Sequence, residues 1–231
     1  VYRCYGLKPA LGEDCWVTGV EVDVDDASIV HHILVYADEE RMFRAQADSD
    51  PEPGFDCMNM KVTGMGAKAY LGSWTPGAVP FRLPPGSGVE LDEDADIILQ
   101  IHYHNTTGAD QADRTGLGIH FAREKIQKQA QGVMLAAYRD FLVPAGAAHH
   151  ESRTEMPVRG DATVFGIRPH MHYLGKDMNV SVIDEAGNET TLISVPDYDF
   201  NWQFTYRPVD PIRLHRGHRI RLVAHHDNSA S

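Results

Sequence analysis

Ile97-Ile98-Leu99-Gln100-Ile101-His102-Tyr103-His104 is an apolar, β-branched run that ends in two histidines one residue apart. It has the length of a strand, with Pro84-Pro85-Gly86-Ser87-Gly88 before it and a polar break from Asn105 to Arg114 after it. A run of this kind between turn signals reads as a buried strand. Residues two apart in a strand share a face, so His102 and His104 project to one side. Upstream, Trp16 to Val24 alternates like a half-buried strand, and Ser28 to Ala37 holds a second β-rich run, Ile29-Val30-His31-His32-Ile33-Leu34-Val35-Tyr36. Residues 38–61 carry charge, Pro and Gly and read as a long excursion, and Gly72-Ser73-Trp74-Thr75-Pro76-Gly77 is a turn signal. Downstream the pattern restarts at Gly116-Leu117-Gly118-Ile119-His120-Phe121, which sets a boundary between domains 1–113 and 114–231. Residues 123–131, rich in Glu, Lys and Gln, are expected to be helical. Further strands are expected over Val133–Leu142, Ala162–Ile167, Met178–Ile183, Thr190–Val195, Trp202–Tyr206 and Arg219–His225, with Gly187-Asn188 as a turn. Many short strands with turns between them make an all-β, β-sandwich chain.

The balance of 21 Lys+Arg against 33 Asp+Glu leaves a formal charge of −12, which argues against nucleic acid or an anionic membrane surface as partner. No run of about 18 apolar residues is present, so no membrane span is expected. The chain opens at Val1-Tyr2-Arg3-Cys4 without a signal peptide, as a processed chain would. Cys4, Cys15 and Cys57 lack Cys-x-x-Cys spacing, which disfavours a zinc ribbon and permits one disulfide with one thiol left over; which two pair is open. Thirteen histidines beside three cysteines in an acidic chain suit a metalloprotein.

Three histidine groups stand out. His170 and His172, after Pro169 and before Gly175, would share one face of a strand while Met171 faces away. Two imidazoles make half a site for zinc, copper, iron or nickel. His31 and His32 are adjacent, and in a regular strand their rings would oppose; to share a metal the strand must kink, or one ring must use Nδ1 and the other Nε2. Either His102 or His104 could complete a three-histidine site with them. His149-His150 reads as a loop pair, His120, His215 and His218 as surface or capped core residues, and His225-His226 has no assigned role.

In order and approximate spacing, Ile29-Val30-His31-His32-Ile33-Leu34, then Leu99-Gln100-Ile101-His102-Tyr103-His104-Asn105, then His170-Met171-His172-Tyr173-Leu174-Gly175-Lys176 resemble the motifs of the type II copper, ascorbate-dependent monooxygenases. These are the peptidylglycine α-hydroxylating and dopamine β-hydroxylating enzymes and their microbial relatives. Ser73-Trp74-Thr75-Pro76-Gly77, Val195-Pro196-Asp197-Tyr198-Asp199-Phe200-Asn201-Trp202-Gln203 and Asp227-Asn228-Ser229-Ala230 agree, the last two most like microbial members. The resemblance implies two tandem antiparallel, jelly-roll-like β-sandwich domains facing across a cleft, each with one copper. It implies an electron-transfer copper on His31, His32 and His102, and a catalytic, dioxygen-binding copper on His170 and His172, with His104 outside the ligand set. It further implies dioxygen, ascorbate as reductant, a small-molecule or peptide substrate, and a secreted, periplasmic or secretory-vesicle setting. Arg168 stands where peptide-amidating members grip a substrate carboxylate, and Gln100 matches their form of its motif.

The family's third ligand to the second copper is a methionine beyond the Asp-Asn-Ser segment, and none of the eight methionines before Ser231 occupies that place. Met178 stands six residues past His172, about 20 Å along an extended chain. The C-terminal domain is therefore expected to be incomplete at its end. The resulting expectation is hydroxylation of a C–H bond beside a heteroatom or aromatic ring, with a copper-binding protein of the same fold but no oxygenase activity as the alternative. A zinc hydrolase is disfavoured because no His-Glu-x-x-His is present.

Overall fold

A computed structural model describes residues 1–41, 43–57, 70–136 and 141–229. The chain is nearly all β. In order it forms β1 (Tyr2–Leu7), β2 (Cys15–Asp23), β3 (Val30–Asp38), α1 (Arg44–Ser49), β4 (Phe55–Asp56), β5 (Tyr70–Trp74), β6 (Phe81–Arg82), β7 (Ser87–Leu91) and β8 (Asp96–Tyr103). It continues with β9 (Gly116–Phe121), β10 (Lys128–Gln129), β11 (His150–Pro157), β12 (Ala162–Val164), β13 (Gly175–Ile183), β14 (Glu189–Val195), β15 (Ile212–Leu214) and β16 (Arg219–His226). Two compact units result, Val1–Val133 and Met134–Ser231.

The first unit has a sheet ordered β4-β1-β8-β3-β5 and a second ordered β10-β7-β2-β6, with β9 also on β2. The opening stretch is the central strand β8. Seven of its eight residues are buried, because β1 and β3 flank it and both its faces are covered. The two sheets meet where Gly72 of β5 faces Val20 of β2. A Cβ at Gly72 would stand 3.1 Å from that of Val20, which is why a glycine interrupts this strand. The restart at Gly116–Phe121 is a strand, as expected, but it pairs with β2, so residues 116–121 pack within the first unit.

The 38–61 excursion is tied down at three points. Arg44 of α1 holds the buried Asp96 through Nε and Nη2 at 2.5 and 2.8 Å, and this holds the Asp96 carboxyl below the usual range. Arg3 of β1 reaches Asp50 at 3.2 and 3.3 Å. Cys4 bonds Cys57, leaving Cys15 as the free thiol. A disulfide across 53 residues contributes about 2–4 kcal/mol. Cys4, Cys57, Tyr36, Phe43, Phe55 and Ile98 form one hydrophobic cluster around it, which fixes β1 along β8.

Two expectations fail between residues 123 and 142. Residues 123–131 form no helix: Gly86 accepts the amides of Gln127 and Lys128, Ala130 donates to Gly88, and β10 lies parallel to β7. Ile126 and Ala130 are the segment's apolar residues, too few for a helical face, and Ile126 docks against Gly88, so tertiary contact overrides propensity. In the Val133–Leu142 stretch, residues 133–136, 141 and 142 form no strand and residues 137–140 lie outside the described residues.

The second unit has a sheet ordered β11-β16-β13-β14 and a small β12-β15 pair. β13 and β14 form the hairpin expected around Gly187-Asn188, with Gly187 at φ 88° and Asp184 accepting from the backbone amide and Nδ2 of Asn188. Met171, Met178, Val180, Tyr198, Leu222 and Ala224 are its core. Trp202–Tyr206 reduces to a single bridge, Ile167 with Tyr206.

Candidate metal centre

β3 and β8 bring His31, His32 and His102 together, each offering a ring nitrogen within 4.8 Å of the others. Val30 pairs with Tyr103 and His32 with His102, so His31 is the extra residue of a β-bulge. The bulge is the kink that lets adjacent rings meet. The two Nδ1 atoms of His31 and His32 stand 3.0 Å apart, one holding a proton that the other accepts. Ring centroids lie 5.2 Å apart for His31–His32, 4.9 Å for His31–His102 and 4.9 Å for His32–His102. Nitrogens bound to one cation at about 2.0–2.1 Å are separated by roughly 3 Å, so a cation can take the place of that proton. His32 and His102 are buried. Tyr2, paired with His102 across β1 and β8, stacks on its ring at 4.1 Å and 7°. His104 is exposed and stands outside the trio, its ring 6.4 Å from that of His31. Beside the trio Tyr103 is pushed up in pKa by burial and by its hydrogen bonds to Tyr5 and Asp113.

His170 and His172 lie in a loop entering β13 rather than in a strand, and both are exposed. Their rings still face each other at 5.1 Å and 78°. His170 Nδ1 donates to Oε1 of the buried Gln203 at 2.5 Å, and Gln203 Nε2 donates to the carbonyl of Phe200 at 2.6 Å. Gln203 therefore fixes the His170 tautomer and leaves Nε2 as the donor toward a metal. The loop is clamped by Tyr198, whose hydroxyl donates to the Met171 carbonyl at 2.6 Å and accepts from its amide at 2.9 Å; burial pushes this phenol up in pKa. Met171 faces the core, as expected, and Met178 is buried there too. Gly175 closes the turn onto the His172 carbonyl, and a Cβ there would meet Met171 at 2.7 Å. Among the described residues no third His, Cys, Asp or Glu joins His170 and His172.

Residues 1–110 match the family model described as copper type II ascorbate-dependent monooxygenase, N-terminal domain. Over these residues the chain is similar to that family. No curated protein matches it. The matched segment contains the whole His31, His32 and His102 trio. Three imidazoles, two of them buried, are a donor set that fits the copper of these monooxygenases, stabilising Cu(I) while still accepting Cu(II).

The remaining site residues divide. Arg168 is half-buried, its Nε donates to the Gln203 carbonyl at 3.3 Å, and it meets no carboxylate among the described residues. Gln100 is buried, its amide 3.7 Å from Cys57 Sγ of the disulfide. Sequence reasoning missed Tyr2 and the orienting role of Gln203. A glutamine shortly after an aromatic Asp-Phe-Asn-Trp run was the available signal for the second. It also missed a second convergent group, His149, Asp177 and His225.

Proposed function

We propose that this chain is a copper- and ascorbate-dependent monooxygenase that hydroxylates an activated C–H bond of a small molecule or peptide. The overall balance is R–H, dioxygen, two electrons and two protons giving R–OH and water, with two ascorbates each supplying one electron. The observation that carries the reading is the bulged His31, His32 and His102 trio, two of its rings buried, within the family-matched segment. Copper held by these histidines, and a second held by His170 and His172, would supply the one-electron redox chemistry.

The chain's own groups supply position and electrostatics. Gln203 holds the His170 ring through its Nδ1 proton. Arg168, anchored through Nε, keeps its terminal nitrogens for a substrate carboxylate, a group that a guanidinium binds in bidentate fashion. Tyr173 stacks on Phe200 at 4.1 Å, and the exposed Tyr173 and Trp202 offer an aromatic surface next to the histidines. The Cys4–Cys57 disulfide supports an oxidising setting, whether secreted, periplasmic or in a vesicle lumen, and no helix among the described residues is long and apolar enough to cross a membrane.

The alternative is a copper-binding protein of this fold without oxygenase activity, favoured by the two-histidine content of the second group. Oxygen consumption with ascorbate and a glycine-extended peptide or phenethylamine separates the two. Turnover by the copper-loaded chain that disappears in His172→Ala supports the enzyme. A chain that loads copper on the trio yet consumes no oxygen above the substrate-free rate is the binding protein instead.

A further inference from the structure

β16 is the inner strand between β11 and β13, and its register sets Glu151, His225 and Asp177 side by side. Cross-strand partners share a face, so one imidazole stands between two carboxylates. His225 Nδ1 is 2.6 Å from Asp177 Oδ1, and its Nε2 is 3.7 Å from Glu151 Oε2. His149, just before β11, brings a second imidazole against the first, with ring centroids 4.0 Å apart at 67°. One ligand atom from each of His149, Asp177 and His225 lies within 4.8 Å of the others. Lys176, 3.9 Å from Asp227, is the nearby cation.

We propose that His149, Asp177 and His225 form a separate binding site for a divalent cation of the zinc and copper(II) class. Two imidazoles and a carboxylate are borderline donors that suit these ions. The Asp177–His225 pair holds one proton between Nδ1 and Oδ1, and an entering cation takes both lone pairs and releases that proton to solvent. Asp177 and Glu151 supply negative charge, and the cation would tie the start of β11 to β16 and β13. The site shares no residue with the proposed oxygenase centre, and its readout does not involve turnover.

The test is zinc titration of the full chain by calorimetry in two buffers of different ionisation enthalpy, with bound metal counted after dialysis. Relative to the wild type, His149→Gln and His225→Gln should each lose the same one equivalent of zinc, and the proton release should go with it. His102→Ala should lose a different equivalent. His149 is exposed, so its variant tests the site without disturbing the sheet. Unchanged zinc stoichiometry in a folded His149→Gln chain would overturn the proposal and leave an ion pair. Loss of oxygen consumption with the zinc equivalent intact bears on the oxygenase reading alone.

Discussion

The largely buried trio of the first unit and the exposed pair of the second are built by opposite means. His31, His32 and His102 sit on adjacent strands of a five-stranded sheet, where a bulge, the β8 register and the Tyr2 stack fix every ring. His170 and His172 stand on a loop, where one glutamine and one tyrosine clamp do that work. A sheet core holds ligands with little reorganisation, while a loop holds them less precisely and leaves them accessible. The contrast fits a division between holding an electron and meeting a substrate.

The largest expected effect comes from His102→Ala. Loss of a group that merely supports a ligand costs about 10–100-fold in metal affinity, so loss of one of three imidazoles should weaken copper at the trio by more than about 100-fold and leave the loop pair unaffected. Competitive copper titration measures this. Affinity within tenfold of wild type would mean that the trio is not the better-built site. Next, Gln203→Leu should weaken metal at the loop pair by about 10–100-fold with the trio unchanged, because the His170 ring loses the acceptor that holds its Nδ1 proton. An unaltered loop pair would show that Gln203 serves packing alone. The smallest effect is expected from Tyr2→Leu. Aromatic pairs are worth about 0.5–1.5 kcal/mol, roughly two- to tenfold in copper affinity at the trio. No change there would assign the ring's position wholly to the β8 backbone.

Much of the architecture was legible because burial leaves a periodic trace. β2, β3, β8, β13, β14 and β16 all fall on runs read as strands. β1, with Tyr2, Arg3 and Cys4, has no such trace, since it is held by a disulfide, an Arg3–Asp50 pair and its neighbours. The expected helix at 123–131 failed because propensity without an apolar face loses to a docking contact. β11, whose first residue is His150, was hidden by its charged, half-exposed alternation.

For the sites, the order and spacing of His31, His32, His102, His170 and His172 pointed to copper chemistry, because ligand identity is a property of side chains that the sequence states directly. It could not decide how adjacent rings meet. That depends on a bulge, and a bulge is set by pairing between β3 and β8, strands far apart along the chain. The same holds for His149, Asp177 and His225, which share no local motif and converge because β16 pairs with both β13 and β11, the strand that His149 leads into.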